Sequence, residues 1–363
     1  MSVPEVRVVG VGTELPGPPV SNAMLARRFG MNSVWEQWID SFVGTASRHL
    51  AVDLESGEVR CGLADLATAA GRAALEQAEV EPAEVGLIVM GTATPDALMP
   101  ATVNVVADRI GIDGIPSYQL QSGCSGAVQA LDVAATMLRA GRCRTALVLG
   151  GDVCAKHLDL TLDLHTLAPE QLVNVVLFGD GAGAAVLTTE PTAATTATAA
   201  ATGAAGAGDV VLRDAFVRLV GRGRPPGQTV EWFGLADRDA DRPAGGEDYK
   251  AIEESVPELA ADTLTELLDR LDWKPDDLDH LLPPQLSGAM TGRIVERLAV
   301  RDAAEVSCVA RTGNNGNALP FFQLEQLLPR MAAGDRAAGV AIESSKWIEA
   351  GFALEKLEKV AGA

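Results

Sequence analysis

The sequence predicts an α/β protein built as two copies of one unit, and three observations carry that expectation. Apolar runs of strand length (residues 6–15, 85–91, 145–150, 210–219, 278–282 and 337–342) alternate with stretches of helix length. Two glycine-bracketed turns, Ser122-Gly123-Cys124-Ser125-Gly126 and Thr312-Gly313-Asn314-Asn315-Gly316, each follow a short strand and open a helix that leads into another strand. Finally, 190 residues separate Cys124 from Asn314, and 193 separate Val85 from Leu278, which begin the preceding buried strands. Two matches at nearly one offset indicate a duplication. A pseudo-twofold packing of the copies would bring the two turns together.

Taken in order, residues 6–15 form a strand ending at a Gly/Pro turn, and residues 22–29 a helix capped by Ser21 or Asn22. Residues 33–43 carry Trp35, Trp38 and Phe42 at near-helical spacing. Residues 62–78 make an amphipathic helix, and 85–91 a strand apolar enough to be buried on both faces. A loop (92–100) and a helix (101–111) precede the Cys124 turn, the helix 128–140 and the strand 145–150. Residues 152–170 are irregular, and 173–187 hold a glycine-rich turn in apolar sequence. Residues 188–208 are Ala, Thr and Gly almost throughout, too poor in large apolar groups to order themselves, so they read as a flexible connection. Beyond them come a strand (210–219), a polar insertion (222–244), a long helix (249–271), a strand (278–282), a helix (291–298) and a strand (305–309). The glycine turn and helix of residues 311–334, a strand (337–342) and a last strand (351–357) finish the chain. The expected organisation is therefore an N-terminal half 1–187, a connection 188–208 and a C-terminal half 209–363.

Composition narrows the function. A net charge of −20 argues against nucleic acid, whose phosphates need a basic footprint. No stretch reaches membrane-spanning length and no leader is evident, so a cytoplasmic protein is expected. Five scattered cysteines suggest neither a disulfide framework nor a zinc site, and no metal is expected.

The chemistry centres on the turn at residues 121–127. A cysteine at a strand-to-helix junction is how an exposed nucleophile is presented. The helix N-terminus behind it should lower the thiol pKa and favour thiolate. A buried structural cysteine is the competing reading. Asn314, its counterpart, would supply hydrogen bonds to a developing oxyanion or enolate.

These residues resemble the β-ketoacyl-acyl-carrier-protein synthase III family of the thiolase fold. The resemblance rests on residues 9–16 (Val-Gly-Val-Gly-Thr-Glu-Leu-Pro), 86–94, the 122–126 turn, 146–152, the run Leu177-Phe178-Gly179-Asp180-Gly181-Ala182-Gly183-Ala184-Ala185, and 311–314. It implies a thiolase-like, five-layered αβαβα fold in two halves and a homodimer. It also implies an acyl-enzyme on Cys124 and acyl donors carried as coenzyme A or phosphopantetheine thioesters on an acyl carrier protein, with no permanent cofactor. Asn314 matches the catalytic asparagine. Met99 matches a residue closing the partner's acyl pocket, and Trp347 is a further pocket candidate. Trp38 matches an aromatic stacking on coenzyme A, and Lys156 a phosphate-contacting cation, whereas Phe42 stands where an arginine is common.

The departures shape the expected reaction. Where the family continues Pro-His-Gln-Ala-Asn, this chain has Pro283-Pro284-Gln285-Leu286-Ser287, so Pro284 replaces the catalytic histidine. A proline side chain neither donates nor titrates, so the donor pair that holds the enolate of malonyl decarboxylation loses one member. The family's C-terminal glycine turn is replaced by Glu343-Ser344-Ser345-Lys346-Trp347. The expected function is an acyltransferase of polyketide-type metabolism, passing an acyl group from Cys124 to a carrier thiol, hydroxyl or amine. The alternatives are a decarboxylative condensing enzyme and a non-catalytic partner subunit. Glu343, Ser287, Asn315, His157 and His165 are the auxiliary candidates for the missing donor or base, each with a structural role as its rival.

Overall fold

A computed structural model describes residues 3–167, 169–190, 210–230 and 245–358. The first half contributes β1 (Val6–Glu14), β2 (Val20–Ser21), β3 (Ser47–Arg48), β4 (Ile88–Thr92), β5 (Ser117–Gln121), β6 (Thr145–Asp152) and β7 (Gly181–Thr188). The second contributes β8 (Val210–Leu219), β9 (Gln228–Val230), β10 (Gly245–Glu247), β11 (His280–Leu282), β12 (Ala304–Glu305), β13 (Arg336–Glu343) and β14 (Ile348–Lys356). Ten of these strands form one mixed sheet in the order β12-β11-β13-β14-β8-β1-β7-β6-β4-β5.

The order repeats about the β8–β1 junction. Outward on one side run β1, β7 and β6, antiparallel, then β4 and β5, parallel to β6. On the other run β8, β14 and β13, antiparallel, then β11 and β12, parallel to β13. The same two antiparallel and two parallel pairings thus occur in each half. β1 and β8 pair through Val6–Val8 and join the halves.

Helices cover these strands because the strands carry apolar residues on both faces. Between the halves, Ala127, Leu131 and Leu138 of helix Gly126–Arg139 share one buried cluster with Phe321, Leu324 and Leu327 of helix Leu319–Leu327. Helices Leu63–Ala78 and Thr102–Ile110 cover the outer face of the first half. Helices Tyr249–Leu271 and Gly288–Leu298 cover that of the second. Across the molecule the succession is helix, one half of the sheet, helix, the other half of the sheet, helix, the five-layered thiolase-like fold. Backbone approach at its centre is very close: a Cβ on Gly91 of β4 would fall 2.3 Å from the Gly126 carbonyl carbon. Only glycine fits there, and this contact seats the helix start that carries the Cys124 turn.

Some elements differ from expectation. The strand expected at 305–309 is only the two-residue β12, followed by helix Val309–Thr312. Gln285 Oε1 accepts the backbone N–H groups of Cys308 (2.5 Å) and Val309 (2.9 Å), and that occupies the donors a longer strand would use. The last strand starts at Ile348 because its ladder with β13 extends to Glu343. Thr188 ends β7; residues 191–208 of the expected connection and 231–244 of the polar insertion lie outside the described residues. No described helix is long and apolar enough to cross a membrane.

Candidate active site

Cys124 lies in the turn from β5 into helix Gly126–Arg139, closed by the Gly126 N–H donating to Gly123 O at 3.0 Å. Asn314 follows Gly313, which has φ +73°. Its backbone is fixed by Asn314 N–H to Leu177 O (3.0 Å) and Gly179 N–H to Asn314 O (3.1 Å). Its Oδ1 accepts the Gly316 N–H at 3.0 Å, which orients the amide and leaves the Nδ2 hydrogens for the opposite side. Cys124, Asn314, Pro284, Gln285, Gln323 and Val256 line one cavity. The duplicated turns thus meet.

A buried polar network clamps the turn to the second half. Asp152 Oδ1 accepts from Thr92 Oγ1, the Ala93 and Thr94 N–H groups and Thr94 Oγ1, at 2.8 to 3.1 Å. Its Oδ2 accepts from the Asn317 N–H (2.8 Å) and Nδ2 (2.9 Å). Asn317 in turn accepts the Ala127 N–H at 2.9 Å and donates to Ser122 O at 3.2 Å. An amide from the opposite half therefore takes one of the free N–H groups of the Cys124 helix.

Glu343, at the end of β13, is buried beside the turn. Its Oε2 accepts from Ser122 Oγ (2.5 Å) and Ser125 Oγ (2.6 Å), and its Oε1 from Ser345 Oγ. Gln129 Nε2 donates to both Ser122 and Ser125, at 2.6 and 2.9 Å. With an amide donor on their other side, both hydroxyls point their protons at Glu343, the arrangement that suits an acceptor-only carboxylate.

These neighbours reverse the expected thiol chemistry. Burial, then the carboxylates of Glu343, Asp152 and Glu247, push the Cys124 thiol up to about 12. A helix N-terminus favours thiolate by about 1 kcal/mol where it is free, and here desolvation and like charge outweigh it. Cys124 therefore rests as a thiol. Its alkylation by iodoacetamide, followed by mass spectrometry, should still be accelerating above pH ~9, where an ordinary thiol near 8.5 levels off. Glu343→Gln should move that rise to lower pH. A plateau near pH 8.5 in the unaltered protein would contradict this electrostatic picture.

The other sequence candidates fall elsewhere. Lys156 Nζ donates to Thr94 O (2.8 Å) and Pro95 O (3.1 Å) and lies 3.6 Å from Asp96, which ties it to the loop after β4. Ser287 Oγ accepts the Met290 N–H (3.2 Å) as a helix cap, and Asn315 Nδ2 donates to Asp180 O (2.7 Å). Neither lines the Cys124 cavity. His157 and His165 sit in exposed 3₁₀ turns away from it. Trp347, at φ +64°, is buried with its Nε1–H on Pro225 O (2.7 Å) and Arg224 over its ring, so it supports the 344–347 turn and does not line this cavity. Met99 is 87% exposed. Trp38 is half-buried at the end of helix Ser33–Trp38, and Phe42 is exposed. Sequence reasoning missed Asn317, Gln285 and Glu247, and gave Asp152 no role. Among the described residues no group of three His, Cys, Asp or Glu is placed to hold a metal.

With this geometry the comparisons agree. A family profile described as 3-oxoacyl-[acyl-carrier-protein] synthase III matches residues 118–208. A β-ketoacyl-[acyl-carrier-protein] synthase III of Rhodospirillum rubrum is 33% identical over 312 residues, 86% of each chain. One from Pseudomonas aeruginosa is 32% identical over 309 residues, 85% of this chain and 83% of that one. Among solved structures, the tetronic acid condensing enzyme AbyA1 matches at TM-score 0.89 and 60% identity, covering 96% of this chain and 99% of that one. The priming β-ketosynthase of the R1128 polyketide pathway matches at TM-score 0.76 and 26% identity, covering 99% of each. Fold and comparisons together define a ketosynthase III-like condensing enzyme. The chain belongs to the β-ketoacyl-acyl-carrier-protein synthase III family, which works on acyl thioesters of coenzyme A and acyl carrier protein and needs no permanent cofactor.

Proposed function

We propose that the chain loads an acyl group onto Cys124 from a coenzyme A or carrier-protein thioester and joins it to an acceptor that arrives already activated, in a condensation of the tetronic acid type. The observation that carries this is Pro284 in the wall of the cavity shared by Cys124 and Asn314. Malonyl decarboxylation leaves an enolate that needs stabilising donors, and here Asn314 Nδ2 stands without the usual second side chain. A carbon flanked by two carbonyls loses a proton without decarboxylation, so it makes less demand on that pair. The 60% identity to a tetronic acid condensing enzyme supports a condensation of that type. A tetronic acid is a five-membered lactone with an enolised carbonyl, and building one takes a carbon–carbon and a carbon–oxygen bond. An acyl-cysteine route provides the first and leaves a thioester for the second.

In the loading half-reaction the Cys124 sulfur attacks the thioester carbonyl, the carrier thiol leaves, and the thiol proton passes to it. Asn314 Nδ2 and the Cys124 N–H would hold the oxyanion. The work would take place in the cytoplasm, where the five free thiols stay reduced. A homodimer is part of this reading, supported by Met99, which is 87% exposed in the loop that follows β4, the neighbour of edge strand β5.

The test is intact-protein mass spectrometry with a panel of acyl-CoA and acyl-carrier thioesters, followed by product analysis with malonyl or β-ketoacyl thioesters as acceptor. The expected result is an acyl adduct absent from Cys124→Ala and a condensation product from the β-ketoacyl acceptor alone. Carbon dioxide release with a β-keto product from the malonyl acceptor, or no adduct at all, would sink the reading.

A further inference from the structure

Two glutamines, Gln285 and Gln323, stand in the wall of the cavity that holds Cys124 and Asn314, and both are nearly sealed, at 5% and 4% exposure. Each has one end of its amide committed to backbone. Gln285 Oε1 accepts the N–H groups of Cys308 and Val309, which fills both of its lone pairs. Gln323 Nε2 donates to Pro283 O and Val306 O, which uses both of its hydrogens. These contacts fix the orientation of each amide. A flipped Gln285 would set an NH₂ against two N–H donors, and a flipped Gln323 an oxygen against two carbonyls.

The ends left over are opposite in kind. Gln285 can offer only its Nε2 donor, and that buried atom has no hydrogen-bond partner. The Cys308 thiol beside it, which burial pushes up to about 11, is a weak sulfur acceptor and does not pair it. An orphaned buried donor costs about 1–3 kcal/mol, and the backbone brace does not need it, because Oε1 alone makes that brace. Gln323 can offer only its Oε1 acceptor.

Both amides are held in register with Asn314. Gln323 grips residue 283, two before Gln285, and residue 306, two before Cys308. The Val309 N–H on Gln285 begins helix Val309–Thr312, which ends at Gly313 beside Asn314. No charged side chain lines this cavity among the described residues.

We infer that Gln285 and Gln323 select the acceptor by taking the enol of a β-ketoacyl thioester, with Gln285 Nε2 donating to its thioester carbonyl and Gln323 Oε1 accepting from its enol hydroxyl. The inference rests on the acyl-Cys124 reading and names the substrate class of the second half-reaction. The α-carbon between the two oxygen-bearing carbons attacks the acyl carbonyl on Cys124. A carbon–carbon bond forms, the acyl–sulfur bond breaks, and the enol proton ends on the Cys124 sulfur. The products are an α-acylated β-ketoacyl thioester and the free thiol. A malonyl acceptor would instead set a carboxylate against the Gln323 oxygen, acceptor facing acceptor, with no cation in the wall to offset it.

The experiment compares Cys124 loading with condensation by quench mass spectrometry, using a β-ketoacyl and a cyanoacetyl thioester as acceptors. The cyanoacetyl group has an acidic α-carbon and the thioester carbonyl but no β-oxygen, so it engages Gln285 and not Gln323. Gln285→Glu keeps an oxygen for the Cys308 and Val309 N–H groups and loses the donor. Its condensation with either acceptor should fall about tenfold further than its loading. Gln323→Met should lose about tenfold in preference for the β-ketoacyl over the cyanoacetyl acceptor, a ratio in which any loosening of the backbone brace cancels. Equal losses of loading and condensation in Gln285→Glu, or an unchanged acceptor ratio in Gln323→Met, would overturn the selection while leaving acyl-Cys124 in place. Failure of the unaltered protein to load would overturn both.

Discussion

Asp152→Ala is expected to destabilise the protein by about 3 to 5 kcal/mol and to stop Cys124 loading with it. The side chain is 2% exposed, and it gathers hydrogen bonds from Thr92, Ala93, Thr94 and Asn317. Removing it leaves several buried donors without an acceptor, each worth about 1–3 kcal/mol when orphaned. Burial raises the Asp152 pKa while the contacts with Asn317, Ala93 and Thr94 oppose that rise, so the network and the carboxylate depend on each other. Asp152→Asn keeps the shape but turns an amide NH₂ toward donors, and it should also destabilise. Asn317 transmits the loss, because once freed from Asp152 it no longer holds Ala127 N–H and Ser122 O around the Cys124 turn. Urea unfolding followed by circular dichroism measures the stability, and quench mass spectrometry the loading. A midpoint shift worth less than about 1 kcal/mol would show that solvent replaces Asp152 readily.

The fold was legible from sequence where a pattern repeats. The two glycine-bracketed turns and their nearly constant offset correspond to equivalent positions in a sheet whose strand order itself repeats. Cys124 and Asn314 followed, since a duplication brings like turns together. The charge around Cys124 was not legible: the helix start behind it is a local feature, whereas Glu343 comes from residues far along the chain and Glu247 from a hairpin in an insertion without a motif. The carbonyls that Lys156 holds were not legible either, because no side-chain pattern announces their position. Trp347 reads as an apolar pocket residue until its positive φ and its bond to Pro225 O turn it into the core. Ser287 did carry a signal, since serine immediately before a helix is most often a cap. β12 was over-read because Gln285 captures the N–H groups that would have lengthened it.

Pro284→His should raise malonyl-CoA decarboxylation by about two to three decades, the usual effect of one oxyanion-hole donor. The position favours the substitution. Gln323 Nε2 holds Pro283 O and Val306 O at 3.0 Å each, so the backbone entering residue 284 is fixed independently of the proline ring. Pro284 O accepts a 3.4 Å contact from Thr291 Oγ1, which histidine would keep. An imidazole there would enter the cavity that holds Asn314, whose Nδ2 is already oriented by the Gly316 N–H on Oδ1. Two donors would then face the enolate where one does now. Release of labelled carbon dioxide measures the gain, with Cys124 loading followed in parallel. If the variant folds and loads but releases no more carbon dioxide, the missing histidine is not what separates this site from decarboxylative condensation, and the acidic ring of Glu343, Asp152 and Glu247 becomes the reason, because carboxylates crowded around Cys124 would disfavour both an enolate and the malonyl group that generates it.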